Sequence, residues 1–215
     1  MNLIRYLAFA ALFLAWSAPP VFAEAVAGRD YKDIRPQPTE SGDKIEVIEF
    51  FWYGCPHCND LHPYLKKWLA SKPADVDFRY VPAIFRDSWV PGAKLFYGLE
   101  ITGDLNRLND KVYDAIHLET VNPADEKALV DWAVKQGVNR KKLEDAMNSF
   151  SMNGKLARSK QMSKDYQLHG VPAIVVDGKY LTGPGTAQTG PEQFTPVLNE
   201  VIEKARKERA AAAKK

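Results

Sequence analysis

Cys55 and Cys58 are the only two cysteines of the 215-residue chain, and they stand three residues apart in Cys55-Pro56-His57-Cys58. At this spacing two sulfurs can close a small ring or separate into two thiols, which is the chemistry of a redox dithiol. The preceding stretch, Glu49-Phe50-Phe51-Trp52-Tyr53-Gly54, reads as a buried strand that ends near Tyr53 and Gly54. Pro56 suits the first position of a helix, where its missing N–H costs nothing. Cys55 then takes the N-cap, with its sulfur facing unpaired amides and the positive end of the helix dipole. A thiolate is stabilised there, and a protonated His57 adds to the effect, so the Cys55 pKa is expected to fall. A stable thiolate leaves readily and favours the reduced form, so the disulfide is expected to be oxidising.

Other uses of the pair fit less well. A three-residue loop is a strained and poor structural staple. A c-type haem site needs His directly after the second Cys, and Asn59 is there instead. Structural zinc takes about four ligands, and only His57, His62, His117 and His169 accompany the cysteines, with no paired spacing. No metal or other cofactor is expected, the redox group being the Cys55–Cys58 disulfide itself. A soft-metal carrier for Cu(I) and a chaperone-like binder of unfolded chains are the non-enzymatic alternatives.

The elements that must position the dithiol can be read outward from it. Residues 1–23 look like a cleaved secretory signal: Arg5, an apolar run from Tyr6 to Trp16, Pro19-Pro20, then Val21-Phe22-Ala23. That run is well short of the roughly 20 residues that span a bilayer. Export would place the thiols where disulfides persist. The remaining 192 residues carry a net charge of +1, down from +2 by the loss of Arg5. This near-neutral balance gives no case for nucleic acid, and the length suits one domain, 24–215.

Residues 24–43 read as polar and irregular. Lys44–Phe51 is a strand with apolar residues on both faces, as in a central strand. Glu49 shares a face with Val47 and Phe51; buried there, its pKa would rise and it could take the proton of Cys58. Pro56–Ala70 is a helix with Leu61, Tyr64, Leu65, Trp68 and Leu69 inward and a kink near Asn59 from Pro63. Val76–Val81 is a second strand. About 91–168 changes to successive helices: one with Leu105, Leu108, Val112 and Ile116 after an Asp104 cap, one capped by Asn122 with Pro123 first and Gly137 ending it, one capped by Asn139 carrying Leu143, Met147 and Phe150, and one over 152–168. Gly170–Val176 returns to strand, Asp177-Gly178 signals a hairpin, and Lys179–Thr182 is its partner. Pro172 is an edge residue or follows a cis bond. Gly183–Gly190 reads as a plain loop and Pro191 to about Lys207 as a final helix, with a fraying tail.

Strand, Cys55-Pro56-His57-Cys58, helix, a helical block, then Gly170-Val171-Pro172 and a hairpin: this order resembles the DsbA family of exported thiol–disulfide oxidoreductases through essentially the whole mature chain. The resemblance implies an α/β thioredoxin fold with an inserted helical domain. It implies Cys55 as exposed nucleophile, Cys58 as buried resolving thiol, and Val171–Pro172 as a cis-Pro loop where an extended substrate pairs. Glu49 matches the family's buried acid six residues before the first Cys. Arg79 falls near where some members carry a Lys facing that acid. The implied activity is donation of the disulfide to newly exported, reduced proteins in the periplasm, with reoxidation by a DsbB-like membrane partner and a monomeric enzyme. An exported reductase or isomerase is the enzymatic alternative; residues 24–43 are too short for the dimerisation domain of family isomerases.

Overall fold

The computed structural model describes residues 24–214, so the expected leader lies outside the described residues. A five-stranded sheet is built from β1 (Lys32–Asp33), β2 (Ile45–Phe51), β3 (Val76–Pro82), β4 (Ala173–Val176) and β5 (Tyr180–Thr182), in the order β1-β5-β4-β2-β3. β2 runs parallel to β3 and antiparallel to β4. The central position of β2 explains its composition: all seven residues are buried. Val47 packs under α1 (Pro56–Leu69) and α8 (Pro191–Ala212), together with Leu61, Leu65, Phe194 and Leu198. Ile48 and Phe50 face the other way, toward Trp89 and Tyr166.

Between β3 and β4 the chain inserts five helices, α2 (Val90–Thr102), α3 (Leu105–His117), α4 (Glu126–Lys135), α5 (Arg140–Met147) and α6 (Phe150–Asp165). This is a thioredoxin-type sheet carrying a helical insertion. Phe51 and Tyr53, at the end of β2, join the core of that insertion with Phe96, Leu99 and Tyr113. α2 is the hub of the block and is buried on most sides. Gly98 brings it close to α5, since a Cβ there would meet Met147 and Leu143 at 2.8 and 2.9 Å. Among the described residues no helix is long and apolar enough to cross a membrane.

Several local expectations are corrected. Residues 24–43 do contribute structure: β1 pairs with β5, and buried Tyr31 meets Tyr180 edge-on with ring centroids 5.1 Å apart. α4 is capped by Asp125, whose carboxylate accepts from the Ala128 N–H at 3.0 Å, while Asn122 closes a small turn onto the Ala124 N–H. Phe150 does not belong to α5. Ser149 caps a new helix, so Phe150 begins α6 and is 94% exposed. Tyr64 is partly exposed; the buried stripe of α1 is Cys58, Leu61, His62, Leu65 and Trp68. Gly183–Gly190 contains a short helix, α7 (Pro184–Ala187). Gly170 to Pro172 lie before β4. α8 continues five residues past Lys207, because Arg209 pairs with buried Asp177 and the alanines favour helix.

The hairpin turn is as the sequence suggests. Asp177 and Gly178 both have positive φ, 54° and 64°. Gly178 is also required sterically, since a Cβ would lie 2.3 Å from the Gln37 carbonyl oxygen.

Candidate active site

Cys55 is the N-cap of α1, with extended φ and ψ of −86° and 117°, and Pro56 follows at the first helical position. The turn is set by the Cys55 N–H donating to the Trp52 carbonyl at 2.9 Å. Cys55 is held below the ordinary thiol range, at about 6, by a hydrogen bond from the Cys58 thiol and the backbone N–H groups of Cys58 and His57, with a smaller contribution from the His57 charge. Burial opposes this shift but is outweighed. The helix terminus therefore matters more than His57, whose ring is largely in solvent, 3.8 Å from the Asp60 carboxylate. Cys58 is fully buried, and burial pushes its thiol well above the ordinary value. The two sulfurs are thus driven in opposite directions by one turn of backbone. Cys55 is less exposed than expected, at 8%.

The cover over Cys55 is the loop before β4. The Val171–Pro172 peptide bond is cis, and in the thiol form Cys55 donates to the Val171 carbonyl oxygen at 3.4 Å. Gly183, at φ +139°, lies beneath this loop; a Cβ there would stand 3.1 Å from the Pro172 carbonyl oxygen. A groove of about 450 Å³ opens beside the dithiol, lined by His57, His169, Val171, Pro172, Leu181 and Pro184 among others.

The approach strand is fixed to the insertion. Trp52 stacks flat on Trp89, with centroids 4.4 Å apart and planes 2° from parallel. Gly54 lies against that indole, where a Cβ would come within 2.4 Å of the ring. Buried Tyr53 donates to Asn109 Oδ1 at 2.6 Å, and His117 Nε2 donates to the Tyr53 carbonyl oxygen at 2.7 Å. Through these contacts Trp52-Tyr53-Gly54 holds the start of α1 against α2 and α3.

Glu49 is 1% exposed, and neither carboxylate oxygen has a hydrogen-bond partner. Burial, and to a lesser degree the Cys55 charge, pushes its pKa up to about 8. Arg79 does not face it. In the β2–β3 register Arg79 lies opposite Ile48, on the other face, and pairs with Glu40 at 2.8 Å and Glu46 at 3.2 Å. Tyr80 lies opposite Glu49 instead. Sequence reasoning reaches His62 only as a possible metal ligand. Its position four residues after Cys58 is the signal that it shares the buried face of α1. Among the described residues no group of three or more His, Cys, Asp or Glu side chains could hold a metal ion.

The site has counterparts of known chemistry. The family model of the DSBA-like thioredoxin domain matches residues 89–190. The thiol:disulfide interchange protein DsbA of Burkholderia cepacia is 40% identical over 184 residues, covering 81% of this chain and 85% of that protein. DsbA of Pseudomonas aeruginosa strain PAO1 is 38% identical, with 87% and 88% covered. The crystal structure of Pseudomonas aeruginosa DsbA superposes with a TM-score of 0.80 at 38% identity, over 88% of this chain and 97% of that one. For the oxidoreductase DsbA of Xylella fastidiosa the TM-score is 0.78 at 26% identity, over 86% and 99%. The chain belongs to the DsbA family of thioredoxin-fold thiol:disulfide oxidoreductases, and its cysteine pair is the redox centre of a disulfide-donating oxidase.

Proposed function

We propose that Cys55 is the sulfur attacked by substrate and Cys58 the resolving thiol, in an enzyme that oxidises reduced proteins newly exported to the periplasm. The opposed shifts of the two thiols carry this reading. A substrate thiolate attacks Cys55 of the disulfide. The Cys55–Cys58 bond breaks, its electrons go to Cys58, and a mixed disulfide joins substrate to Cys55. Buried Cys58 is a poor place for a thiolate, so it takes a proton, and neutral Glu49 is the acid placed on the facing strand to supply it. The second substrate thiolate then attacks the substrate sulfur of the mixed disulfide and expels Cys55, which leaves as a stabilised thiolate. Two electrons pass from substrate to enzyme, and the substrate keeps the disulfide.

In this reading His57 tunes Cys55 in a minor role, Pro56 starts the helix, and an extended substrate lies along Val171–Pro172, pairing by its main chain. Residues 1–23 are removed on export, the protein works as a monomer, and a DsbB-like membrane partner reoxidises the dithiol. The assignment of roles is tested by trapping. Cys58→Ser leaves no internal thiol to release a partner, so mixed disulfides with oxidised substrate peptides should accumulate and map to Cys55. The converse variant, Cys55→Ser, should accumulate almost none through buried Cys58. Equal trapping by both variants would overturn the assignment.

A further inference from the structure

In the mechanism proposed above every cycle passes a proton between Cys58 and Glu49, and Glu49 is sealed from solvent with no hydrogen-bond partner. A weak acid sheds its proton to water slowly, and burial slows this further. Arg79 offers no outlet, since it lies across the sheet with Glu40 and Glu46.

A second unpartnered buried atom stands on the facing element. His62 is buried, and its Nδ1 has no hydrogen-bond partner. It sits one helical turn beyond Cys58 on the buried stripe of α1, which lies over the face of β2 that carries Val47 and Glu49. Tyr80, beside Glu49 in the register, has its ring centroid 6.4 Å from that of His62. Tyr113 of α3 packs on His62 at 4.5 Å. The other nitrogen, Nε2, is 2.8 Å from Asp110 Oδ1, and Asp110 reaches the surface, where it pairs with Lys66. The imidazole therefore has one nitrogen buried without a partner, on a helix face that covers the strand carrying the acid, and one on a half-exposed carboxylate. The titratable or charged groups around this path are Cys55 at the N-cap of α1, Cys58 and Lys66 on α1, Tyr53 just after β2, Tyr80 on β3, and Asp110 and Tyr113 on α3.

We infer that His62, backed by Asp110, is the positioning residue through which Glu49 exchanges its proton with solvent. The inference rests on the role given to Glu49 above. In reoxidation, Cys58 passes its proton to the Glu49 carboxylate as its sulfur attacks the mixed disulfide at Cys55 and expels the partner thiolate. Glu49 then releases that proton outward along the His62–Asp110 path. In donation the same path returns a proton to Glu49.

The test is stopped-flow reoxidation of the reduced protein by glutathione disulfide, followed by tryptophan fluorescence. At saturating glutathione disulfide the rate reports the internal attack by Cys58. The native protein should show a plateau rate that rises with pH and levels near 8, where Glu49 ionises. His62→Leu should lower the plateau about tenfold at pH 7, less than the roughly hundredfold or more of a group acting directly on the reacting atoms. Its rate should keep climbing with hydroxide concentration instead of levelling. Asp110→Asn, at a half-exposed position, should give a smaller slowing with the same change of profile. In a Glu49→Gln background His62→Leu should add no further slowing, because the two act in series. An equal slowing in both backgrounds, or an unchanged profile in His62→Leu and Asp110→Asn while Glu49→Gln is slow, would overturn the path and leave the acid in place. An unchanged rate and profile in Glu49→Gln would remove both.

Discussion

Cys55→Ser is expected to reduce oxidation of a reduced dithiol peptide to the rate in buffer alone. A serine oxygen cannot form the exchangeable bond, and no third cysteine can replace it. The loss goes beyond a missing sulfur. With a pKa of about 6, Cys55 is roughly nine-tenths thiolate at pH 7, against about one-hundredth for a thiol at the ordinary 9.0. The leaving group of the second step is therefore already in its stable form. The same shift acts on the fold. A pKa lowered on folding adds stability above the unfolded value of 9.0, and that stability is lost as pH falls through 6. The reduced native protein should gain on its Cys55→Ser variant between pH 6 and 9. Urea unfolding of both under reducing conditions reads this gain. A constant difference across the range would mean that the helix terminus does not stabilise the thiolate.

Glu49→Leu is expected to stabilise the protein while slowing its reoxidation. Glu49 is buried without a partner, and its pKa rises to about 8 from the ordinary 4.5. A carboxyl with a raised pKa keeps its proton in the folded state where the unfolded chain has lost it. Stability is then whole below pH 4.5, falls between 4.5 and 8, and is lowest above 8. At pH 7 this penalty is on the order of 3 kcal/mol, and leucine removes it along with the cost of burying a polar group unpaired. The gap between native and variant in urea should widen from pH 4.5 to 8 and then hold. A gap that stays flat with pH would show that Glu49 is not held as a neutral acid. Such a cost at the central strand supports the role proposed for the acid, since packing alone would be better served by an aliphatic residue.

The chemistry was legible because it is local. The Cys55–Cys58 spacing, Pro56 at the first helical position and the two-sided apolar pattern of β2 all lie within about a dozen residues, and the structure joins them as read. The hairpin at Asp177-Gly178 was legible for the same reason, since its backbone demands positive φ at both positions. What escaped was set by distant partners. α2 has apolar residues on nearly every side and so shows no stripe from which to read a boundary. β1 exists only because β5 offers it an edge. The register that turns Arg79 away from Glu49, and sets Tyr80 opposite it within 6.4 Å of the His62 ring, is a property of paired elements that no single stretch of sequence encodes.

The central claim is that the start of α1 stabilises the Cys55 thiolate enough to make the disulfide a strong oxidant. Equilibrating the Cys55–Cys58 pair with glutathione measures its reduction potential directly. A value near about −120 mV, that of DsbA itself, is the predicted result. A value near about −270 mV, as in thioredoxin, would contradict the account: the thiolate would not be stabilised as described, and electrons would flow toward substrates rather than from them.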